Sequence, residues 1–200
     1  LIMAMALIWI VFGAGKLAGR VPDMKVICGA LYGVALVVAL YATVNASSPR
    51  VTRLQVELAD LPAHWKGGTV VQLTDVHLGS IRTTRYLDRV VERVNSLEPD
   101  LILITGDLFD GSARNLGVFA EGLDALRADR GVYFVMGNHE GYLGLEEPRA
   151  VLERTRIRIL DDEVVDVDGL QIMGLAYPEF DQEKSEASEL TIRGELRKDL

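Results

Sequence analysis

Cysteine is nearly absent from this chain, which carries one, Cys28, among 200 residues. A single thiol cannot form a disulfide within the chain, nor can it build a zinc site from cysteine ligands. Cys28 lies in an apolar run. A single cysteine does not indicate whether the protein works in an oxidising or a reducing compartment. Internal repeats and low-complexity tracts are also missing, and a chain of this length allows one domain plus accessory segments.

An excess of positive charge is missing as well. The chain has 21 lysines and arginines against 29 aspartates and glutamates, a formal net charge of -8. A protein that binds the phosphate backbone of nucleic acid needs a basic stripe, so no nucleic-acid partner is expected. A phosphorylated substrate remains compatible with this acidity, because bound divalent cations would reverse the local field.

Long apolar runs, by contrast, dominate the start of the chain. Residues 1–12 are apolar throughout, and we interpret them as the end of a longer transmembrane helix. Residues 13–25 are predicted to form a basic loop with three cations, Lys16, Arg20 and Lys25, against Asp23. Residues 26–44 contain no charge and would rise roughly 28 Å as a helix, the thickness of a bilayer core. We predict that they form a transmembrane helix.

The charges around these runs predict an orientation. The basic loop is expected to face the cytoplasm, which places everything after residue 44 on the extracytoplasmic side. Arg50 and Arg53 are also close to the membrane and reduce this charge difference. Residues 45–50 read as a polar linker, and residues 51–200 as one globular domain that is expected to be incomplete at its C-terminus.

Three short apolar runs predict buried strands of a parallel sheet. They occupy residues 69–74, 101–104 and 132–136, and helical patterns lie between them. Strand and helix alternate at short intervals, which favours right-handed crossovers and an α/β fold. An apolar stripe predicts a helix after Thr83 or Thr84, formed by Leu87, Val90, Val91 and Val94.

Other patterns predict the remaining elements. Further helices are expected at 115–128, 145–154 and near the end of 182–200. Residues 51–58 alternate between apolar and polar and predict a half-exposed strand. A strand is also expected at 157–160, and Asp168-Gly169 predicts a hairpin between 163–167 and 170–175.

Polar side chains follow each of the three apolar strands. Asp75 and His77 come after the first strand, Asp107 after the second, and Asn138 with His139 after the third. Carboxyl ends of parallel strands meet at one edge of a sheet, where ligands bind. Oxygen and imidazole ligands converging there predict a metal site for two divalent ions, and manganese, iron or zinc suits the mixed donors better than calcium.

The same residues suggest roles in hydrolysis. Asp107 can bridge two cations with its two oxygens, and Asn138 offers a neutral carbonyl oxygen. His139 could protonate a leaving oxygen as general acid. Asp110 could accept a hydrogen bond from that imidazole and stabilise its charged form.

These motifs resemble the calcineurin-like metallophosphoesterases. The first three signatures of that family have counterparts here, in the same order: Asp75-x-His77, Gly106-Asp107-x-x-Asp110 and Gly137-Asn138-His139-Glu140. A membrane helix ahead of them resembles the membrane-anchored branch. The resemblance implies an α+β sandwich, a four-layer β-sandwich flanked by helices and preceded by N-terminal transmembrane helices. It also implies phosphomonoester or phosphodiester hydrolysis at a dinuclear centre, with no covalent intermediate.

Carried over to this chain, the resemblance implies specific roles. Asp75 and His77 would hold one metal, Asp107 would bridge, and Asn138 would hold the second metal. His139 would donate the proton, with Asp110 orienting it. The family also uses a later histidine and a Gly-His-x-His segment, but no histidine follows His139. We therefore expect these 200 residues to bind at most one ion firmly.

Several charged and aromatic residues near the motifs have simpler interpretations. Arg82, Arg85 and Arg114 could grip a phosphate, but are expected to be solvated. His64 beside Trp65 is expected to pack or to lie at the surface. Glu140 is expected to contact the metal ligands rather than a metal ion.

The sequence thus predicts a membrane-anchored phosphoesterase whose partners are the membrane bilayer and a phosphoester substrate. A lipid-linked phosphoester is the attractive substrate, because the domain would sit beside the membrane. One alternative is a catalytically degenerate module that binds metal or phosphate for regulation. A transport protein gated by the domain is a third possibility, for which two apolar runs are too few.

Overall fold

A computed structural model describes residues 2–19, 23–46, 48–58, 61–175 and 177, in two compact units, Leu1–Arg50 and Val51–Leu200. The first unit holds two helices, α1 (Ile2–Leu17) and α2 (Met24–Ala46). Helix α1 continues through residues 13–17, so the predicted basic loop begins later than the charge pattern indicated. By length and composition α2, with a mean hydropathy of 2.1, is the one helix among the described residues that could cross a bilayer.

The second unit is built on a parallel sheet, as predicted, and the strand predicted at 157–160 adds a fourth strand to it. Its strands are β1 (Val70–Leu73), β2 (Leu101–Thr105), β3 (Val132–Val135) and β4 (Ile157–Ile159), in that spatial order. The run of branched residues in β2 reflects burial on both faces. Ile102 and Ile104 face one hydrophobic cluster, and Leu101 packs in another on the opposite face.

Helices cover one face of this sheet. They are α3 (Thr84–Asn95), α4 (Ala120–Asp124), α5 (Asn138–Leu143) and α6 (Glu146–Leu152), with 3-10 turns at Ala63–Trp65 and Leu116–Phe119. The predicted stripe of α3 is buried at all four positions. The helix predicted over 115–128 is shorter, because Asn115 takes a left-handed conformation (φ 56°) and the chain first forms a 3-10 turn.

A hairpin covers the other face. Strands β5 (Glu163–Val167) and β6 (Leu170–Gly174) pair antiparallel, as predicted. Asp168 and Gly169 at the turn both have positive φ (50° and 79°), which a two-residue turn of this kind requires. Trp65 packs between hairpin and sheet and donates its indole N–H to the Asp168 carbonyl at 3.1 Å. Parallel sheet, helices and hairpin together confirm the mixed α/β class.

The strand predicted at residues 51–58 is wrong. All eight residues are exposed, and the structure assigns no strand to them. An alternating apolar and polar pattern forms a strand only where a neighbouring strand supplies hydrogen bonds. None of the described strands pairs with this segment. The helix expected near the end of 182–200 lies outside the described residues.

Candidate metal centre

The parallel order of β1, β2 and β3 brings their carboxyl ends to one edge of the sheet, as predicted. The loops after β1 and β2 continue side by side beyond the strands. His77 donates its backbone N–H to the Asp107 carbonyl at 2.9 Å, and Leu78 donates to Leu108 at 2.8 Å. Asp110 returns a bond to the Leu78 carbonyl at 2.8 Å. The ladder holds the two motif loops in a defined register.

The backbone at this edge is strained at three of the predicted metal ligands. Asp75, His77 and Asp107 have positive φ angles of 54°, 49° and 50°. This left-handed region costs most side chains free energy, although Asp, Asn and His tolerate it better than other residues. Such conformations persist where surrounding contacts impose them, and they cluster at functional sites. Here they turn the ligand side chains out of the sheet.

Three side chains form the centre of the cluster. His77, Asp107 and His139 each offer a ligand atom, and these atoms all lie within 4.8 Å of one another. The two imidazole rings are 4.4 Å apart between centroids and nearly perpendicular. Two imidazoles and a carboxylate at this spacing are a donor set that suits zinc, manganese or iron. His139, predicted as a proton donor, thus also lies within ligand distance.

Asp75 lies at the margin of this cluster. Its Oδ1 is 3.8 Å from His77 Nε2, and its side chain is 63% exposed. The Thr74 hydroxyl donates to its other oxygen at 2.5 Å. The carboxylate is therefore next to the predicted first metal position without being enclosed by protein.

Asn138, the first residue of α5, faces the predicted bridging ligand. Its carboxamide lies 3.2 and 3.3 Å from the two oxygens of Asp107. With its nitrogen toward Asp107 the amide donates to the carboxylate, and its oxygen accepts from the Tyr142 hydroxyl at 3.3 Å. A cation between the two groups would instead favour the amide oxygen on that side. The Asp107–Asn138 pair is thus adjacent, as the motif order predicted.

Asp110 differs from its predicted role. Its Oδ1 accepts hydrogen bonds from the backbone and hydroxyl of Ser112, at 2.9 and 2.6 Å. These bonds are the main cause of its lowered pKa, to which the nearby charges of His139 and His77 add. The Nδ1 atom of His139 accepts from the Gly111 backbone N–H at 3.0 Å. That bond leaves the proton of the neutral ring on Nε2, so Asp110 acts on the imidazole through charge alone.

Glu140 is the residue whose importance the sequence understated. It is fully buried, and its two oxygens accept three backbone N–H groups. The donors are Asp107 at 3.0 Å, Phe109 at 2.9 Å and Gly137 at 2.8 Å. Burial raises the pKa of Glu140, the three hydrogen bonds oppose that rise, and the charge of Asp107 adds to it. In the sequence, the one sign of this role was that Glu140 directly follows two predicted site residues, Asn138 and His139.

Two glycines let the loops after β2 and β3 touch. A Cβ on Gly106 (φ 84°) would lie 2.9 Å from the Gly137 Cα. A Cβ on Gly137 would overlap both the backbone nitrogen and the carboxylate of Asp107. Close approach of backbone to backbone is thus what both positions require.

The neighbouring residues have structural roles. Arg82 donates from one guanidinium nitrogen to the carbonyls of Asp75 and Val76, at 2.8 and 2.7 Å, and so clamps the first motif loop. Arg85 and Arg114 are exposed, as expected. Trp65 is buried, and the Nε2 atom of His64 contacts the carbonyl of Asp168, at the hairpin turn, at 2.7 Å. Both fit the prediction of packing or surface.

Comparison with known proteins agrees with the site. Residues 68–185 match the calcineurin-like phosphoesterase family. An uncharacterized metallophosphoesterase of Campylobacter jejuni is 32% identical over 139 residues, covering 68% of this chain and 36% of that protein. A transmembrane protein with metallophosphoesterase domain from Danio rerio is 37% identical over 110 residues, 54% of this chain and 25% of that protein.

A third relative has a more specific name. The UDP-2,3-diacylglucosamine pyrophosphatase of Chlamydia muridarum is 30% identical over 92 residues, 46% of this chain and 28% of that protein. The aligned parts thus span about a third or less of these relatives' own lengths. With a family match over more than half of the chain, the predicted fold is confirmed: the chain belongs to the calcineurin-like phosphoesterase family.

Proposed function

We propose that this chain forms part of a dinuclear, metal-dependent phosphoester hydrolase. The observation that carries the proposal is the cluster of His77, Asp107 and His139, whose ligand atoms lie within 4.8 Å of one another. Asp75 and Asn138 stand on either side of it. These five residues combine anionic, neutral-oxygen and imidazole donors, which fit manganese, iron or zinc.

Each of the predicted metal ligands has a proposed role that follows from its position. Asp75 and His77 would hold one ion, Asp107 would be shared, and Asn138 would hold the second. Bound ions supply charge neutralisation for the phosphoryl group and a water of lowered pKa. The Glu140 carboxylate keeps the loops that carry Asp107 and Asn138 together through its backbone hydrogen bonds.

His139 is proposed to protonate the leaving oxygen. Its Nδ1 accepts from Gly111, so its Nε2 carries the transferable proton. Asp110, an anion whose pKa is lowered mainly by its hydrogen bonds from Ser112, stands nearby. Donation from Nε2 requires that this atom not also bind a metal, and the leaving-group experiment in the Discussion separates the two roles.

We further propose that the domain works at a membrane on a lipid-linked phosphoester. Helix α2 is long and apolar enough to anchor residues 51–200 to a bilayer. The relative from Danio rerio is named a transmembrane protein, and the Chlamydia relative is named for a diacylglucosamine substrate. The basic residues before α2 favour an extracytoplasmic domain.

The test is the Asp107→Asn variant, measured by elemental analysis of bound metal and by turnover of an aryl phosphoester. Loss of the shared carboxylate should lower metal affinity at least about 100-fold, since even outer partners of ligands are worth 10–100-fold. Asp88→Asn, an exposed position on α3, is the matched control. Unchanged metal content and turnover in Asp107→Asn would contradict the proposal.

A further inference from the structure

A tight turn after the first motif presents an isoleucine to solvent. Gly79 donates its N–H to the Arg82 carbonyl at 2.9 Å, which closes the turn, and the guanidinium of Arg82 fastens it to the loop of Asp75. Ile81 at the tip is 93% exposed. Among the described residues of 61–175, no other large apolar side chain is as exposed. These hydrogen bonds hold the turn in the conformation that exposes Ile81.

Two arginines flank the turn. Arg85 lies on the first turn of α3, four residues after Ile81. Arg114 follows Ala113, whose Cβ would be 3.3 Å from a Cβ on Gly79. Both arginine side chains are exposed, and neither guanidinium has a hydrogen bond or an ion pair with any described residue. In a chain with net charge -8, these are cations without a counter-ion in the part of the chain that the structure describes.

An exposed tyrosine lies on the same side of the site. Tyr142 is 64% exposed, its ring is 5.5 Å from that of His139, and it packs 3.1 Å from a Cβ placed on Gly111. The Cβ of the neighbouring Asp110 lies 3.0 Å from a Cβ placed on Gly79. Contact therefore runs from the turn of Ile81 through residues 110–111 to Tyr142. We call Ile81, Arg85, Arg114 and Tyr142 the site rim.

We propose that the site rim rests on the surface of an anionic bilayer, so that the metal centre opens toward the lipid headgroups. Ile81 would enter the boundary between headgroups and acyl chains, the depth at which apolar side chains of interfacial proteins lie. Tyr142 is a residue type enriched at that boundary. Arg85 and Arg114 would pair with lipid phosphates, each cation strengthening the contact roughly fivefold.

The inference rests on the proposed anchoring by α2, and it does not depend on hydrolysis. Only residues 47–50 separate α2 from the second unit, and each extends at most about 3.5 Å, so the domain is tethered close to any bilayer that α2 crosses. Tethering makes a small contact sufficient, because the effective concentration is already high. A protein partner would need roughly 800 Å² of buried surface on each side, far more than one protruding isoleucine supplies.

The experiment places a fluorophore sensitive to polarity at residue 81 of the full chain. Cys28→Ser removes the other thiol, and Ile81→Cys takes the label without touching the core, because Ile81 is exposed. Asp129→Cys, exposed at the opposite edge of the sheet before β3, is the matched control. Each protein is placed in lipid nanodiscs that are either neutral or rich in anionic lipid, with spin-labelled lipids as quenchers.

The expected result is a blue-shifted, lipid-quenched label at position 81 in anionic discs, and a solvent-exposed label at position 129. Replacing Arg85 and Arg114 by Gln should reduce the ratio of inserted to solvent-exposed label roughly fivefold per cation. A label at position 81 that stays in water in both discs would overturn the proposal. So would a blue shift without quenching by lipid, which would mean that protein covers the turn. Neither readout requires hydrolysis, so failure here is distinct from failure of the proposed activity.

Discussion

The buried carboxylate of Glu140 accepts the backbone N–H of Asp107 at 3.0 Å across 33 residues of chain. The same oxygen accepts the N–H of Gly137 at 2.8 Å, so one atom joins the loop after β2 to the loop after β3. The Oδ1 atom of Asp107 in turn accepts a hydrogen bond from the backbone N–H of His139 at 3.0 Å. The relative positions of the proposed bridging ligand and of Asn138 therefore depend on a fully buried residue outside the proposed ligand set.

Glu140→Gln should loosen this connection. The amide nitrogen of glutamine would face backbone N–H groups, and a buried donor left without its acceptor costs about 1–3 kcal/mol. Metal affinity should fall about 10–100-fold, the usual effect of losing such a support. Denaturation followed by the fluorescence of buried Trp65, and metal titration, check the two effects. Glu153→Gln, at an exposed position after α6, should change neither; equal behaviour of the two variants would contradict this role.

The pH dependence of stability should report Glu140 as well. Burial raises its pKa in the folded protein, so the folded state holds this proton more tightly than the unfolded state does. The resulting stabilisation is present below the ordinary pKa of glutamate and is lost as the pH rises through the raised value. In metal-free protein, the free energy of unfolding of the wild type should fall over this range relative to Glu140→Gln. Parallel curves for the two proteins would show that the pKa is not raised.

His139→Ala should lower turnover by about 10²–10⁴, the usual effect of removing a positioned acid. The loss should shrink for activated nitrophenol leaving groups, which need no proton. Turnover against leaving-group pKa measures this dependence, and His64→Ala, near the hairpin turn, is the control. Equal losses across the series, together with lower metal content, would assign His139 to metal binding.

Gly137→Ala should separate the loops by steric overlap. The added Cβ would overlap the backbone nitrogen and carboxylate of Asp107, where little can move aside. Forced overlap in a packed site costs about 1–3 kcal/mol, and the displaced Asp107 should lower metal affinity. Thermal unfolding and metal titration give both quantities. Gly117→Ala, whose Cβ would meet only the ends of two side chains, at 3.4 and 3.8 Å, should be tolerated.

The orientation of the chain can be tested by a reporter fused after Ser48. If Lys16, Arg20 and Lys25 stay on the cytoplasmic side, a reporter that works only outside the cytoplasm should be active there. Exchanging both lysines for glutamates should reduce that signal. Activity of a cytoplasmic reporter instead would reverse the proposed localisation and leave the site chemistry unaffected.

Much of the site could be predicted because its ligands follow buried strands. The branched residues of β2 predict a strand covered on both faces, and the stripe of α3 predicts the helix that covers one of them. Once three such strands are parallel, Asp75, Asp107 and Asn138 must reach one edge. Local pattern and chain order are enough for that conclusion, since neither depends on contacts between distant loops.

Other features depended on tertiary contacts. Residues 51–58 have a strand's alternation, yet no described strand pairs with them, so the pattern alone misled. Asp110 has the spacing to reach His139, but the Nδ1 atom of His139 accepts a hydrogen bond from the Gly111 backbone N–H instead. Arg82 has the charge to bind phosphate, but its guanidinium bonds to two carbonyls of its own loop.

The sequence by itself therefore determined the order of elements, the sheet edge and the residue types that gather there, because hydrophobic periodicity and motif order are local properties. Only the tertiary structure decided which atoms meet. The three N–H groups on Glu140, the glycine contact between Gly106 and Gly137, and the left-handed angles of Asp75, His77 and Asp107 arise where loops far apart in sequence close on one another. Hydrogen-bond and steric complementarity across such distances has no periodic signal in a single sequence.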